Sequence, residues 1–211
     1  MKRGYLAVAL AAATLAATGC GDSTGPKATG SGSLSLSYTG ARSGTFSASG
    51  ALEKAGASSF VKQEFAAGVK LTDAAQNYVG VVAYVPVTST TGHEVVLLFP
   101  SAAAGTTLDL TDTCVGTACP LGVVAFDTNP DLADDNADPF FFSTGTLHIS
   151  TISGSRITGT FSGTAEDFDG TRTITVTNGS FDVPLLEESQ FPSASRSAPT
   201  TAFQRLRERK N

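Results

Sequence analysis

Alternation of apolar and polar residues dominates the chain from residue 33 onward. Leu34, Leu36 and Tyr38 fall on one side of an extended segment, and Ser33, Ser35 and Ser37 on the other. That period of two is the pattern of a strand with one buried face. Phe46, Ala48, Gly50 and Leu52 repeat it; Leu147 and Ile149 alternate with Thr146, His148 and Ser150, and Ile157, Gly159 and Phe161 with Thr158, Thr160 and Ser162. Val79–Val87, Val95–Phe99 and Leu121–Phe126 are apolar on both sides, as strands covered on two faces are. Arg172–Val176 and Phe181–Val183 supply two last strands or one long bulged one. Asp169-Gly170 predicts a type I′ hairpin turn, and Asn178-Gly179 a second turn or a bulge. Ala51–Lys70 is ambiguous, because Phe60, Glu64 and Phe65 also suit a helix. The pattern predicts an all-β domain over 33–185, an antiparallel β-sandwich or β-barrel of about 8–10 strands.

Two local features refine this picture. In Phe140-Phe141-Phe142, a strand must turn at least one ring away from the others, so the triplet is expected to pack on both faces; a lipid- or ligand-touching patch is the alternative. Gly44-Thr-Phe-Ser47 recurs as Gly159-Thr-Phe-Ser162 without shared register around it, which points to common hairpin chemistry and not to an internal repeat.

The N-terminus has a different character. Lys2 and Arg3 precede an apolar run, Leu6–Ala17, closed by Thr18 and Gly19. The run is too short for a membrane span of about 20 residues and reads as a secretory signal over 1–19. Its end, Leu15-Ala-Ala-Thr-Gly-Cys20, resembles the lipobox of bacterial lipoproteins, with Ala17 where Leu is commoner. The resemblance implies cleavage before Cys20, diacylglycerol on its sulfur, and acylation (commonly palmitate) of the new amine. By the same analogy Gly21, and not Asp, beside the Cys implies release to the outer membrane in a Gram-negative cell, although Asp22 follows one place later. Ala17-x-Gly19 also suits the general signal peptidase, which would release a soluble protein. Residues 20–32, rich in Gly, Ser and Thr, form a flexible linker. The segment Arg156–Val183 is similar to the last hairpin of uncharacterised β-rich envelope lipoproteins, and the upstream order, with a Gly-Thr step at 105–110, is similar too. That resemblance implies a compact β domain and no activity.

Cysteine count bears on the same question. With Cys20 lipidated, Cys114 and Cys119 remain as an even pair, expected to bridge in an oxidising envelope. So short a loop contributes about 2 kcal/mol. Cys-x4-Cys as half a zinc site lacks a second ligand pair.

Removal of Lys2 and Arg3 leaves 12 basic against 19 acidic residues, a mature net charge of −7. An acidic chain argues against a nucleic-acid partner. The end, 186–211, is instead Ser/Pro/Ala-rich and then basic, with Arg205, Arg207, Arg209 and Lys210; it is expected to be disordered, with contact to anionic lipid or an acidic polymer as the alternative.

No nucleophile elbow, zinc-protease helix or phosphate-binding glycine loop occurs. His148 sits on a polar strand face and His93 in another strand, neither with a catalytic signature. Glu166, Asp167 and Asp169 lie at a hairpin tip, where acids keep ordinary pKa values. One acidic stretch holds Asp127, Asn129, Asp131, Asp135 and Asp138 at positions 1, 3, 5, 9 and 12, echoing a calcium loop. Leu132 in place of the turn Gly, Asp138 in place of Glu, and Pro130 depart from that pattern; a solvated acidic loop is the alternative. The expectation is therefore a lipid-anchored envelope protein without a cofactor other than weak calcium. It would act as a non-catalytic binding or structural module for an envelope protein or polymer. A barrel carrying a small apolar ligand is the first alternative, and an envelope hydrolase with its polar groups around His93 or His148 the second.

Overall fold

Ten strands form in the computed structural model, which describes residues 30–52, 63–73, 76–111, 119–128 and 137–187. They are β1 (Gly32–Gly40), β2 (Gly44–Gly50), β3 (Phe65–Asp73), β4 (Gln76–Pro86), β5 (Gly92–Pro100), β6 (Thr107–Asp109), β7 (Leu121–Thr128), β8 (Asp138–Ile152), β9 (Arg156–Glu166) and β10 (Thr173–Glu187). Pairing runs β10-β3-β4-β5-β7-β8-β9 and returns to β10, closing a seven-stranded barrel. Closure settles the choice between sandwich and barrel. All neighbours in the ring are antiparallel except β3 and β10, joined by a short parallel seam at Gly68–Leu185, Val69–Leu186 and Lys70–Glu187. The β1–β2 hairpin continues from the same edge of β10, and β6 from the edge of β8.

The inward-facing positions explain why the barrel is solid. Val79, Val81 and Ala83 from β4, Val95, Leu97 and Phe99 from β5, and Phe140, Phe142, Leu147 and Ile149 from β8 belong to one buried cluster. Ile157, Phe161, Phe181 and Val183 join it from β9 and β10, as do Leu34, Leu36, Tyr38 and Phe46 from the β1–β2 hairpin. The opposite faces of β3, β4, β5 and β7 carry a second cluster that includes Phe65, Tyr78, Val82, Tyr84, Val96, Leu98 and Val123. The continuous apolar runs are thus accounted for by two cores, one on each face. The Phe triplet divides between them: Phe140 and Phe142 point inward, while Phe141 packs against the outer cluster.

Glycines let aromatic rings lie inside so narrow a barrel. Phe161 faces Gly179 across the β9–β10 pair, and Phe181 faces Gly159. A Cβ at Gly179 would strike Phe161, and one at Gly159 would strike the Phe181 ring and the His148 carbonyl. Gly44 lies opposite Tyr38 in the same way. The recurring Gly-Thr-Phe-Ser segments therefore share a cross-strand glycine–aromatic arrangement. Gly163 and Gly145 face each other on β9 and β8, and a Cβ on Gly163 would overlap the Thr144 carbonyl. Gly163→Val is expected to destabilise the fold by at least about 2 kcal/mol, because backbone cannot yield as a side chain can. A urea midpoint equal to that of the parent would contradict this.

Two expectations need correction, and two readings left open are resolved. Asp169-Gly170 is not a two-residue type I′ turn, since the strands part after Glu166 and Thr173 and the connection spans 167–172. The Asp167 carboxylate organises that loop, accepting hydrogen bonds from the Thr171 and Arg172 N–H groups at 2.9 and 3.2 Å, while Gly170 takes φ +67°. Asp167 itself is buried and not an ordinary exposed turn acid. The ambiguous stretch also resolves where it is described: Phe65–Asp73 is strand, and 53–62 lies outside the described residues. Asn178-Gly179 forms the bulge, with Asn178 at φ +54° and the register shifting between Val176 and Gly179.

Candidate functional site

One rim of the barrel is closed by two arginines. Arg42, in the β1–β2 turn, lies 4.6 Å from the centre of the Phe126 ring, and Arg172 lies 5.3 Å from that of Phe140. Stacked guanidinium on an aromatic face suits arginine better than lysine. Arg42 donates to Asp138 at 2.7 Å and to Asp127 at 3.2 Å. Arg172 donates to the other Asp138 oxygen at 2.6 Å and to Asp167 at 2.8 Å. Asp138 thus accepts from both arginines and ties the β1–β2, β7–β8 and β9–β10 connections together.

The lattice sets the ionisation of its members. Burial acts to raise the Asp138 pKa, but hydrogen bonds from Arg172 and Arg42 outweigh it and hold the carboxyl below its usual range. Burial opposes ionisation of Asp167 too, and is overcome by bonds from the Arg172 side chain and from the Arg172 and Thr171 backbone, giving a pKa of about 2. Asp groups with depressed folded pKa values contribute stability above their unfolded pKa and lose it as pH falls through the folded value. The 167–172 connection is expected to keep its NMR shifts as pH falls to near 3 and to lose them towards 2. Loss already near pH 4 would contradict the ionic lattice.

Of the residues expected to hold calcium, Asp127 and Asp138 are here, engaged by arginine; Asn129, Asp131 and Asp135 lie outside the described residues. A divalent ion on Asp138 would have to displace two guanidinium groups. Among the described residues no group of three or more His, Cys, Asp or Glu is placed to hold a metal. Cys20 and Cys114 are also outside the described residues, while Cys119 is buried and is not a free thiol. His93 stands edge-on to Phe126, its Nδ1 facing the Asp127 N–H at 3.4 Å. His148 Nδ1 lies 3.1 Å from Thr107 Oγ1 on the outer face. No hydrogen bond joins either histidine to a carboxylate among the described residues.

The opposite rim opens on a cavity of about 280 Å³. Lys70, Thr72, Asn77, Ser101 and Glu187 line its mouth, and Val79, Ile152 and Leu185 its floor. Lys70 Nζ is 2.6 Å from Glu187 Oε1, which places an ion pair at the entrance.

A feature that alternation alone did not reveal lies on the outer face of β2, β1, β10, β9, β8 and β6. Register aligns Ser47, Ser35, Ser180, Thr160, His148 and Thr107 in one row across six strands. A second row holds Thr39, Thr175, Thr164 and Thr144. Neighbours in this array already face one another, with Ser35 and Ser180 hydroxyls 3.2 Å apart and those of Thr151 and Thr158 2.7 Å apart. Hydroxyls both donate and accept, and neither row carries a charged carboxylate or amine.

Comparison with family models, with curated proteins and with solved structures finds no match for this chain. Its function therefore has to be argued from these surfaces.

Proposed function

We propose that the chain is a membrane-anchored lipoprotein of the cell envelope whose barrel acts as a non-catalytic binding or structural module. Cys20 carries the lipid, Cys114 and Cys119 form the disulfide, and in a Gram-negative cell the outer membrane is the destination. The observation that carries the module reading is the division of the barrel: its interior is packed with side chains from Leu34 to Leu185, and its exterior bears the hydroxyl rows. A carrier of apolar ligands needs an apolar chamber, and large Phe, Leu and Ile side chains occupy that space here. Partners are instead met on the outside. Uncharged hydroxyl rows suit an uncharged, hydroxyl-rich polymer such as an envelope glycan, through many individually modest hydrogen bonds.

Sedimentation with isolated envelope polysaccharide tests this. The protein is expected to pellet with the polymer, and Ser180→Lys with Thr160→Lys to abolish pelleting while the circular dichroism stays unchanged. Undiminished pelleting of that variant would remove the hydroxyl face from the reading. Mass spectrometry of detergent-extracted protein is expected to find acylated Cys20 at the N-terminus; an unmodified or differently cut terminus would overturn the anchoring.

A further inference from the structure

Among the described residues the sheet ends in β2 on one side and in β6 on the other. End strands present unpaired N–H and C=O groups, which proteins usually blunt with charge, proline, a bulge or brevity. β6 follows that practice, being three residues long and ending in Asp109. β2 does not. It runs seven residues, Gly-Thr-Phe-Ser-Ala-Ser-Gly, with neither charge nor proline, and pairs with β1 without a register shift.

One hydrogen bond fixes the direction of the open groups. Ser49 N–H donates to the Glu64 carboxylate and not to β1, so it points to the free edge. Alternate residues of a strand turn their amides the same way, which puts those of Thr45 and Ser47 on that edge too. Gly44, Thr45 and Ser47 are exposed, while Phe46 and Ala48 turn their side chains into the core. Glu64 closes the edge at Ser49, and the β1–β2 turn ends it before Gly44. Residues 44–48 are therefore an open window.

We propose that this window is a self-association edge, on which β2 of a second copy lies antiparallel with Phe46 at the two-fold axis. In that register Thr45 of each copy faces Ser47 of the other, and each pair exchanges both of its N–H···O bonds. Every open group of the window is then satisfied. An offset of two residues in either direction sets Ser47 against Ser43, in the turn, or Thr45 against Ser49, under Glu64. The window thus matches itself, as a two-fold contact requires, and it carries no charge to repel its copy. Thr45 and Ser47 side chains lie on the outer face, so the hydroxyl row that ends at Ser47 continues into the second copy. Few backbone bonds and no apolar core make such a dimer weak, with a dissociation constant of about 100 µM. Pairing of this kind requires neither the lipid nor a glycan.

Sedimentation equilibrium of the mature-length protein with Cys20→Ser reads the association without lipid or detergent. The parent is expected to pass from monomer to dimer as its concentration rises through that range. Ser47→Pro removes an outward N–H that β1 does not use, and proline is tolerated on an edge strand, so the fold should persist. Its dimer should be weaker by roughly tenfold or more. Thr45→Lys with Ser47→Lys sets like charges across the axis without touching the core, and should act likewise. Mixing that variant with a Thr45→Glu, Ser47→Glu protein should restore a mixed dimer, since each Lys then faces a Glu. Unchanged circular dichroism shows that each variant is folded. A parent that stays monomeric up to about 1 mM would overturn the proposal and leave the edge to a strand of another protein. Undiminished association of the Lys variant, or failure of the Lys and Glu variants to pair, would place the contact elsewhere and overturn it equally.

Discussion

Replacing Phe161 with alanine is expected to lower the unfolding free energy by about 3–5 kcal/mol, the range for emptying a large aromatic site in a packed interior. Phe161 is 3% exposed and meets Phe142 edge-on at 6.2 Å between centroids and Phe181 at 6.5 Å. Its ring also covers Gly179, which has no side chain with which to fill the space. Relaxation into the void is limited because the neighbouring strands are locked in a closed ring. Urea unfolding measures the loss as a lower midpoint at unchanged slope. Phe168→Ala is the matched control: that ring is 61% exposed, and its loss should cost less than about 0.5 kcal/mol. Similar midpoints for the two variants would mean that the aromatic interior does not hold the barrel together.

Glu94→Gln is expected to stabilise the protein above neutral pH, by about 1–3 kcal/mol. Glu94 lies on the outer face of β5, opposite Tyr84 on β4 and Ala125 on β7, beside the apolar cluster of Val82, Val96 and Val123. Burial pushes its pKa up from 4.5 to about 7. No hydrogen bond or ion pair to it is found among the described residues. Because the folded state holds the Glu94 proton more tightly than the unfolded chain, stability falls as pH rises above about 4.5 and levels off above about 7. The full shift corresponds to about 3 kcal/mol, and partial access to solvent reduces it. Glutamine keeps the shape without the charge, so this component of the pH dependence should vanish. Urea midpoints measured from pH 5 to 8 test the idea; parallel curves for parent and variant would refute it.

Much of the fold was legible because each strand announces which of its faces is wet. The serines of β1 and the threonines of β9 alternate with Leu, Ile and Phe, and the structure follows that register. Doubly apolar β4, β5 and β7 signalled cover on both faces. Phe65-Ala66-Ala67-Gly68-Val69 did not read clearly as strand, because small residues on both faces erase the period. Closure was also hidden: β3 meets β10 through three residue pairs more than a hundred positions apart, and local pattern carries no record of such pairing. Asp127 and Asp138 were recognised as convergent carboxylates, yet the cation that engages them in the described structure is Arg42. Carboxylate geometry alone does not distinguish a guanidinium from a metal ion, and Arg42 lies 85 and 96 residues away. The hydroxyl rows emerge only when six strands are set in register.

β10 pairs with β9 along one edge, and with β1 and then β3 along the other. It is also the last strand among the described residues, so neither the β1–β2 hairpin nor the β3–β4 pair can reach its final place until residue 187 is available. The β3–β10 seam that closes the ring joins residues more than a hundred positions apart, and long-range pairing of this kind slows folding to milliseconds to seconds. A growing or moving chain of this sequence would therefore stay open until its keystone arrives.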